Sequence, residues 1–244
     1  MVAVFYSVGA KVKSIYKNAL IVGAGDGLSA SVARAFANAG MRIALAARNP
    51  AKLAALASSL KAGAFGCDAS EPAQVAKMFA DVEKHFGDPP DVVVYNPSFR
   101  ARGPLIELDT AAVAKSLAIT AYGGFLVAQE AAKRMLLNKH GAILFTGASA
   151  SVKGYPLSAP FAMGKFALRG LAQSIARELQ PKGIHVAHFV IDGGIRGPRH
   201  VEQADAPDSM LDPDAIAQNY LNVLMQDRSA WTWEIELRPW VEKF

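Results

Sequence analysis

Short apolar runs alternate along this chain with longer stretches in which apolar residues recur every three or four positions. Ala19 to Val22 is the first run, and beyond it Leu28, Val32, Ala35, Phe36 and Ala39 fall on one face of a helix that Gly40 closes. Met41 to Ala46 is a second run and Ala62 to Cys67 a third. A helix over 72–86 carries Val75, Met78, Phe79, Val82 and Phe86 on one face, and Asp91 to Tyr95 makes a fourth strand. Helices over about 110–137 and 159–179, with strands at 141–146 and 184–191, continue the alternation. Near-continuous apolar strands separated by helices predict an α/β fold, a doubly wound parallel sheet covered on both faces. No linker, repeat or shift of composition divides the chain, so residues 1–244 are expected to form a single domain.

Composition narrows the class. Hydrophobic residues at 52% with charged residues at 19% exclude general disorder. The single cysteine, Cys67, cannot form an internal disulfide and reads as a small core residue in a reducing, cytoplasmic setting. Met1 to Ala10 is apolar and Lys11, Lys13 and Lys17 follow it, which reverses the charge order of a secretory signal. No apolar stretch is expected to approach the roughly 20 residues that span a bilayer, so no membrane partner is expected. The net charge of +5 is scattered singly among acidic residues, without the basic stripe that nucleic acid requires. A mild positive field also suits a small polyanionic cofactor.

The segment Gly23-Ala24-Gly25-Asp26-Gly27-Leu28-Ser29 lies between the first strand and the first helix. Glycines there let backbone amides approach a pyrophosphate at a helix N-terminus, because no Cβ intervenes. The context favours nucleotide binding over a plain tight turn.

With these elements in this order, the chain resembles a short-chain dehydrogenase/reductase of Rossmann type from about Ala19 onward. The family's G-x-x-x-G-x-G motif falls on Gly23, Gly27 and, in third place, Ser29, with Asp26 and Leu28 between. The resemblance implies that Asp68, with Ala69 beside it, meets an adenine; that Asn96 is the retained asparagine of the family's N-A-G element; and that Gly193 and Ile195 lie near a nicotinamide. At the end of the second strand Ala47 replaces the carboxylate that binds an NAD ribose, and Arg48 follows. NADP(H) is therefore expected over NAD(H), although Asp26 in the glycine loop works against a further phosphate. Segment 193–212, rich in Gly, Pro and Asp, corresponds to the family's substrate lid.

The catalytic positions depart from the pattern. In the family a tyrosine protonates the carbonyl oxygen, a lysine four residues on lowers its pKa and holds the nicotinamide ribose, and a serine binds the same oxygen. Here the lysine is Lys165, while the tyrosine position is Phe161, the serine position Ala148, and the supporting asparagine aligns with Thr120. Ser149 and Tyr155 are the nearest replacement groups, each also readable as an ordinary loop hydroxyl. His185 and His188, three apart in one strand, point to opposite faces and do not make a metal site, and His85 and His140 read as solvated. Two functions stay open: an NADP(H)-dependent oxidoreductase with a tyrosine-less centre acting on a small carbonyl, imine or enone, or a non-catalytic NADP(H)-binding sensor or assembly protein. Such proteins pair through long helices, and the alternating segment Trp231 to Trp240 reads as a strand with one buried face, so a homodimer or homotetramer is expected.

Overall fold

In the computed structural model, which describes residues 15–197 and 200–242, the apolar runs pair into one seven-stranded sheet. The strands are β1 (Asn18–Val22), β2 (Arg42–Ala47), β3 (Gly63–Gly66), β4 (Val92–Tyr95), β5 (Gly141–Thr146), β6 (Ile184–Ile191) and β7 (Glu234–Leu237). Their order is β3-β2-β1-β4-β5-β6-β7 and every pairing is parallel. Residues 1–14, on which the leader reading rests, and the last two residues lie outside the described part.

Alternate residues of each central strand enter different cores. Ala19 and Ile21 join a layer with Phe36, Leu45, Phe189 and Tyr220, whereas Leu20 and Val22 join one with Phe79, Val82, Tyr95 and Phe145. Helices α1 (Leu28–Asn38) and α7 (Pro213–Leu224) cover the first layer. Helices α3 (Pro72–Phe86), α5 (Gly123–Asn138) and α6 (Ala159–Leu179) cover the second. Both faces being covered, β1, β5 and β6 are buried along their whole length, which is why their sequences are apolar without alternation.

Several features were not foreseen. A short 3-10 turn and helix α2 (Ala54–Leu60) bridge β2 and β3. Helix α7 follows the lid segment and starts with Asp212 accepting from the Asp214 amide and Pro213 in the first turn, a polar cap that composition alone hides. The predicted helix over 110–137 is three pieces: α4 (Thr110–Leu117), a π-helical turn over Ala118–Tyr122, and α5. By length and composition the continuous stretch Thr110–Asn138 is apolar enough to cross a bilayer, with a mean hydropathy of 1.5 over 18 residues, contrary to the expectation above. In the fold 44% of that window is buried, and Leu126, Val127, Ala131 and Met135 pack into the second core layer. The free Cys67 is buried as expected, and burial pushes its thiol up to about 11.

Of the segment Trp231 to Trp240 only β7 forms a strand, and the predicted alternation holds within it, while Trp233 packs on the second core layer. Ile235 and Leu237 pack on the first core layer, while Glu234 turns to the other face of β7. Trp231 stacks on His185 with ring centroids 4.6 Å apart, and Trp240 stays exposed.

Candidate active site

The glycine loop leaves the carboxyl end of β1 at the point where strand order reverses between β1 and β4, the place where parallel α/β sheets bind ligands. Gly23 has φ +77°, and a Cβ there would meet the Pro97 ring and nitrogen within 2.8 Å, so both backbone conformation and space require glycine. Around Gly25 and Gly27 a Cβ would meet nothing within 4 Å, and Gly27 begins α1 with no side-chain cap. The open space beside both glycines leaves room for a ligand to approach the backbone at the start of α1. Asn96 does not point outward: its Nδ2 donates to Ser29 Oγ at 2.7 Å and to the Gly23 carbonyl at 3.3 Å, and Ser29 Oγ donates to the same carbonyl at 3.1 Å. Serine in the third glycine place therefore stitches the loop, beyond merely allowing close packing.

Asp26 and Arg48 are exposed. Arg48 follows β2, close enough to Asp68 for its charge to help hold that carboxyl low, after the Ser70 hydroxyl, which donates at 2.6 Å. Ala69 is buried beside it. Across the sheet, Gly193 has φ +151° and a Cβ there would sit 2.7 Å from Pro239. Ile195 bridges to Leu211, and Arg196 pairs with Glu202 and Asp212, closing segment 193–212 on itself. His200 is exposed, and Pro198 and Arg199 lie outside the described residues.

Lys165 is 2% exposed, and its ammonium donates to the Thr146 carbonyl at the end of β5, 2.6 Å away. Burial, with Arg100 adding a like charge, lowers its pKa to about 7. One helical turn earlier on α6, the buried Phe161 ring has Lys165 Nζ 5.8 Å from its centroid and the Arg100 guanidinium 4.3 Å from it. The i, i+4 spacing thus brings lysine and aromatic together as the sequence predicts. Thr120 is fully buried in the π-helical turn, its Oγ1 accepting from the Phe99 amide at 3.4 Å. Ala148 donates its amide to Ser151 Oγ at 3.1 Å. Ser149 is half-buried, and neither its hydroxyl nor the phenol of Tyr155, a residue 43% exposed, makes a hydrogen bond among the described residues. The fold therefore assembles Lys165 with Phe161 but does not tie Tyr155 or Ser149 to them.

Sequence reasoning missed the polar chain beneath this site. Ser151 Oγ lies 3.4 Å from His188 Nε2, His188 Nδ1 lies 3.0 Å from Glu234 Oε2, and Arg169 binds both oxygens of Glu234 at 2.7 Å. These residues come from four elements, so no local pattern links them. His185, on the opposite face, bonds the Thr232 carbonyl instead, which agrees with the strand-parity reading. His85 is exposed as read, whereas His140 is half-buried and stacks on Tyr16. No metal-binding cluster occurs among the described residues.

Burial lowers His188 to about 4, against the pull of Glu234, so the native ring is neutral where an unfolded one is charged. The unfolded chain then binds the extra proton between about pH 6.5 and 4, and stability falls as pH drops through that window. One such proton corresponds to about 1.4 kcal/mol per pH unit. Denaturant unfolding at pH 4.5 to 7 checks this: the slope is expected to shrink in H188N, and an unchanged slope would assign the acid sensitivity elsewhere.

A parallel sheet in this order, a glycine loop at its switch point and an aromatic–lysine pair one helical turn apart define a nicotinamide-type dinucleotide fold. The chain belongs to the short-chain dehydrogenase family, whose model matches residues 17–204, and the relatives named here are oxidoreductases. It is 31% identical over 189 residues to the 3-oxoacyl-[acyl-carrier-protein] reductase MabA of Mycobacterium bovis, covering 77% of this chain and 72% of that protein. It is 32% identical to D-threitol dehydrogenase of Mycolicibacterium smegmatis over 70% of this chain and 67% of the relative. Among solved structures, a short-chain dehydrogenase from Rhodopseudomonas palustris superposes with TM-score 0.79 at 34% identity, covering 92% of this chain and 99% of that one.

Proposed function

We propose that this protein is an NADP(H)-dependent oxidoreductase with a tyrosine-less catalytic centre, acting on a small carbonyl, imine or enone. The observation that carries this reading is Lys165: a buried ammonium held at the end of β5 against Phe161, with its pKa lowered to about 7. A proton donor is most effective when its pKa lies near the working pH, and burial has brought a lysine there. When bound, the cofactor exchanges a hydride with the substrate. The first-turn amides at Gly27 and Leu28, with Gly23 and the exposed Asp26 beside them, would hold its pyrophosphate. Arg48 would meet the 2′-phosphate, Asp68 and Ala69 the adenine, and Gly193 and Ile195 the nicotinamide. Asn96 acts by fixing the loop. Lys165 would hold the ribose and move the proton, directly or through a water, with Ser149 binding the substrate oxygen. Segment 193–212 would be the lid. Phe161 and Ala148 contribute no oxygen.

The non-catalytic reading, a nucleotide-binding sensor or assembly protein, draws on the enclosure of Lys165 and on the absence, among the described residues, of any hydrogen bond that ties the hydroxyls of Tyr155 or Ser149 to it. Turnover of the cofactor across a carbonyl, imine and enone panel separates the two readings, because a sensor binds NADPH without consuming it.

Cofactor choice has its own test. The Arg48 guanidinium can grip a phosphate with two parallel hydrogen bonds, which alanine cannot. R48A is expected to weaken NADPH about fivefold to tenfold in calorimetry while leaving NADH nearly unchanged, and equal losses would refute the assignment.

Assembly as a homodimer or homotetramer is supported by an exposed apolar face on the paired long helices, comprising Tyr122 and Phe125 near the start of α5 and Met163 and Phe166 on α6. Side chains of this size left open at one surface invite a symmetric partner. Light scattering at micromolar concentration should give at least a dimer, and F125E with F166E should give a monomer; a wild-type monomer would rule this out.

A further inference from the structure

We infer that Arg100 anchors an anionic group of the substrate beside the reacting centre, so that the substrate class is charged carbonyl compounds rather than neutral ones. This rests on the oxidoreductase reading of the same site.

Arg100 belongs to the loop after β4, and that loop is fixed on both sides of it. Phe99 is held by Ser116 Oγ, which donates to its carbonyl at 2.8 Å, and by Thr120, which accepts from its amide. Gly103 donates its amide to the Leu157 carbonyl at 3.1 Å, joining the loop to the segment that carries Tyr155. Between these attachments the guanidinium is laid over Phe161, the position from which the family's tyrosine would reach the substrate. The side chain is thus directed at the place where chemistry is expected, while remaining accessible to solvent.

Its electrostatic surroundings are one-sided. Arg102 and Lys165 both act on this neighbourhood as like charges, and among the described residues no carboxylate lies within ion-pair distance of Arg100, Arg102 or Lys165. Arg134, Arg169 and Arg196 have carboxylate partners, whereas Arg42, Arg48, Arg177 and Arg228 have none within ion-pair distance among the described residues; what distinguishes Arg100 is that it lies over Phe161 with Arg102 and Lys165 as neighbouring like charges. Cations gathered without an acid repel one another, and an anion arriving from outside relieves that repulsion. A guanidinium pre-set on a rigid loop offers a carboxylate or a phosphate two parallel hydrogen bonds at little cost in side-chain freedom. The alternative, a clamp fastening the loop to α6 by stacking on Phe161, explains the stacking but not the gathering of Arg100, Arg102 and Lys165 around one place.

The test uses two matched pairs of probes, acetoacetate with its methyl ester and dihydroxyacetone phosphate with dihydroxyacetone. Binding to the full chain is measured by ligand-observed NMR and calorimetry, alone and with NADPH. In at least one pair the charged member should bind at least tenfold more tightly than its neutral partner, about 1.4 kcal/mol. R100Q should reduce that ratio below threefold, with R100K intermediate because it keeps the charge and loses the fork. Thermal unfolding of the same variants reads the clamp separately, since a purely structural arginine would change stability and not the ratio. The inference is overturned if neither charged probe is preferred by the wild type, failure to bind included, or if R100Q keeps the preference. Loss of NADPH binding with the preference intact would instead remove the oxidoreductase reading and leave the anion site standing.

Discussion

Lys165→Met should lower NADPH turnover on the carbonyl panel by about 10²- to 10⁴-fold, the range that a positioned proton donor contributes, and at the same time make the protein more stable. Methionine is similar in length and apolar, so it can fill the same enclosed space. The variant leaves the Thr146 carbonyl without its donor, which costs about 1–3 kcal/mol. It also removes a burial penalty that the lowered pKa reports. Replacing buried charged groups by apolar ones is often worth about 1–4 kcal/mol, so a small net rise in Tm is expected. The sign of the pH dependence follows from the same shift. The unfolded lysine holds its proton up to about 10.5, the folded one only to about 7, so wild-type stability is highest at alkaline pH and falls as pH drops between these values. K165M should flatten that slope. A variant that keeps its activity, or unfolds at lower temperature with the slope unchanged, would make Lys165 an ordinary structural residue.

Restoring the family's oxygens should raise activity. Phe161→Tyr adds one atom to a ring already packed beside Lys165, and Ala148→Ser places a hydroxyl where the loop amide already meets Ser151. Together they should increase NADPH-dependent reduction of simple diketones at least tenfold, about 1.4 kcal/mol of barrier. Lys165 would then lower the pKa of the new phenol, and the rate should gain a further pH dependence from that phenol beside the one Lys165 gives the wild type. Because Arg100 lies over the same ring, adding R100Q to the double variant should lower turnover of charged substrates more than that of neutral diketones. A double variant that binds NADPH normally and reduces no carbonyl would mean that the substrate pocket is closed, and would favour the sensor or assembly reading.

What the sequence determined by itself is what periodicity and local chemistry encode. Helices α3 and α6, strands β5 and β6, the glycine loop, the alternating faces of β7 and the pairing of position 161 with Lys165 could all be read from spacing. Spacing along one element fixes which side chains share a face, and burial on both faces leaves an apolar run that needs no partner to be recognised. Helix α2, seven residues with no side-chain cap and only Ala57 buried, has too little pattern to be read locally, whereas α7 does carry an apolar stripe at Ile216, Ala217, Tyr220, Val223 and Leu224 that spacing could have found. Tertiary structure alone decided the rest. Asn96 and Ser29 became a clamp because β4 lies beside β1, a neighbour relation that sequence order does not contain. The Ser151–His188–Glu234–Arg169 chain joins residues up to 83 positions apart, and the encounter of Arg100 with Phe161 spans 61. Such contacts are set by how helices and loops settle on the sheet, where side chains from separate elements meet at distances that no local periodicity specifies.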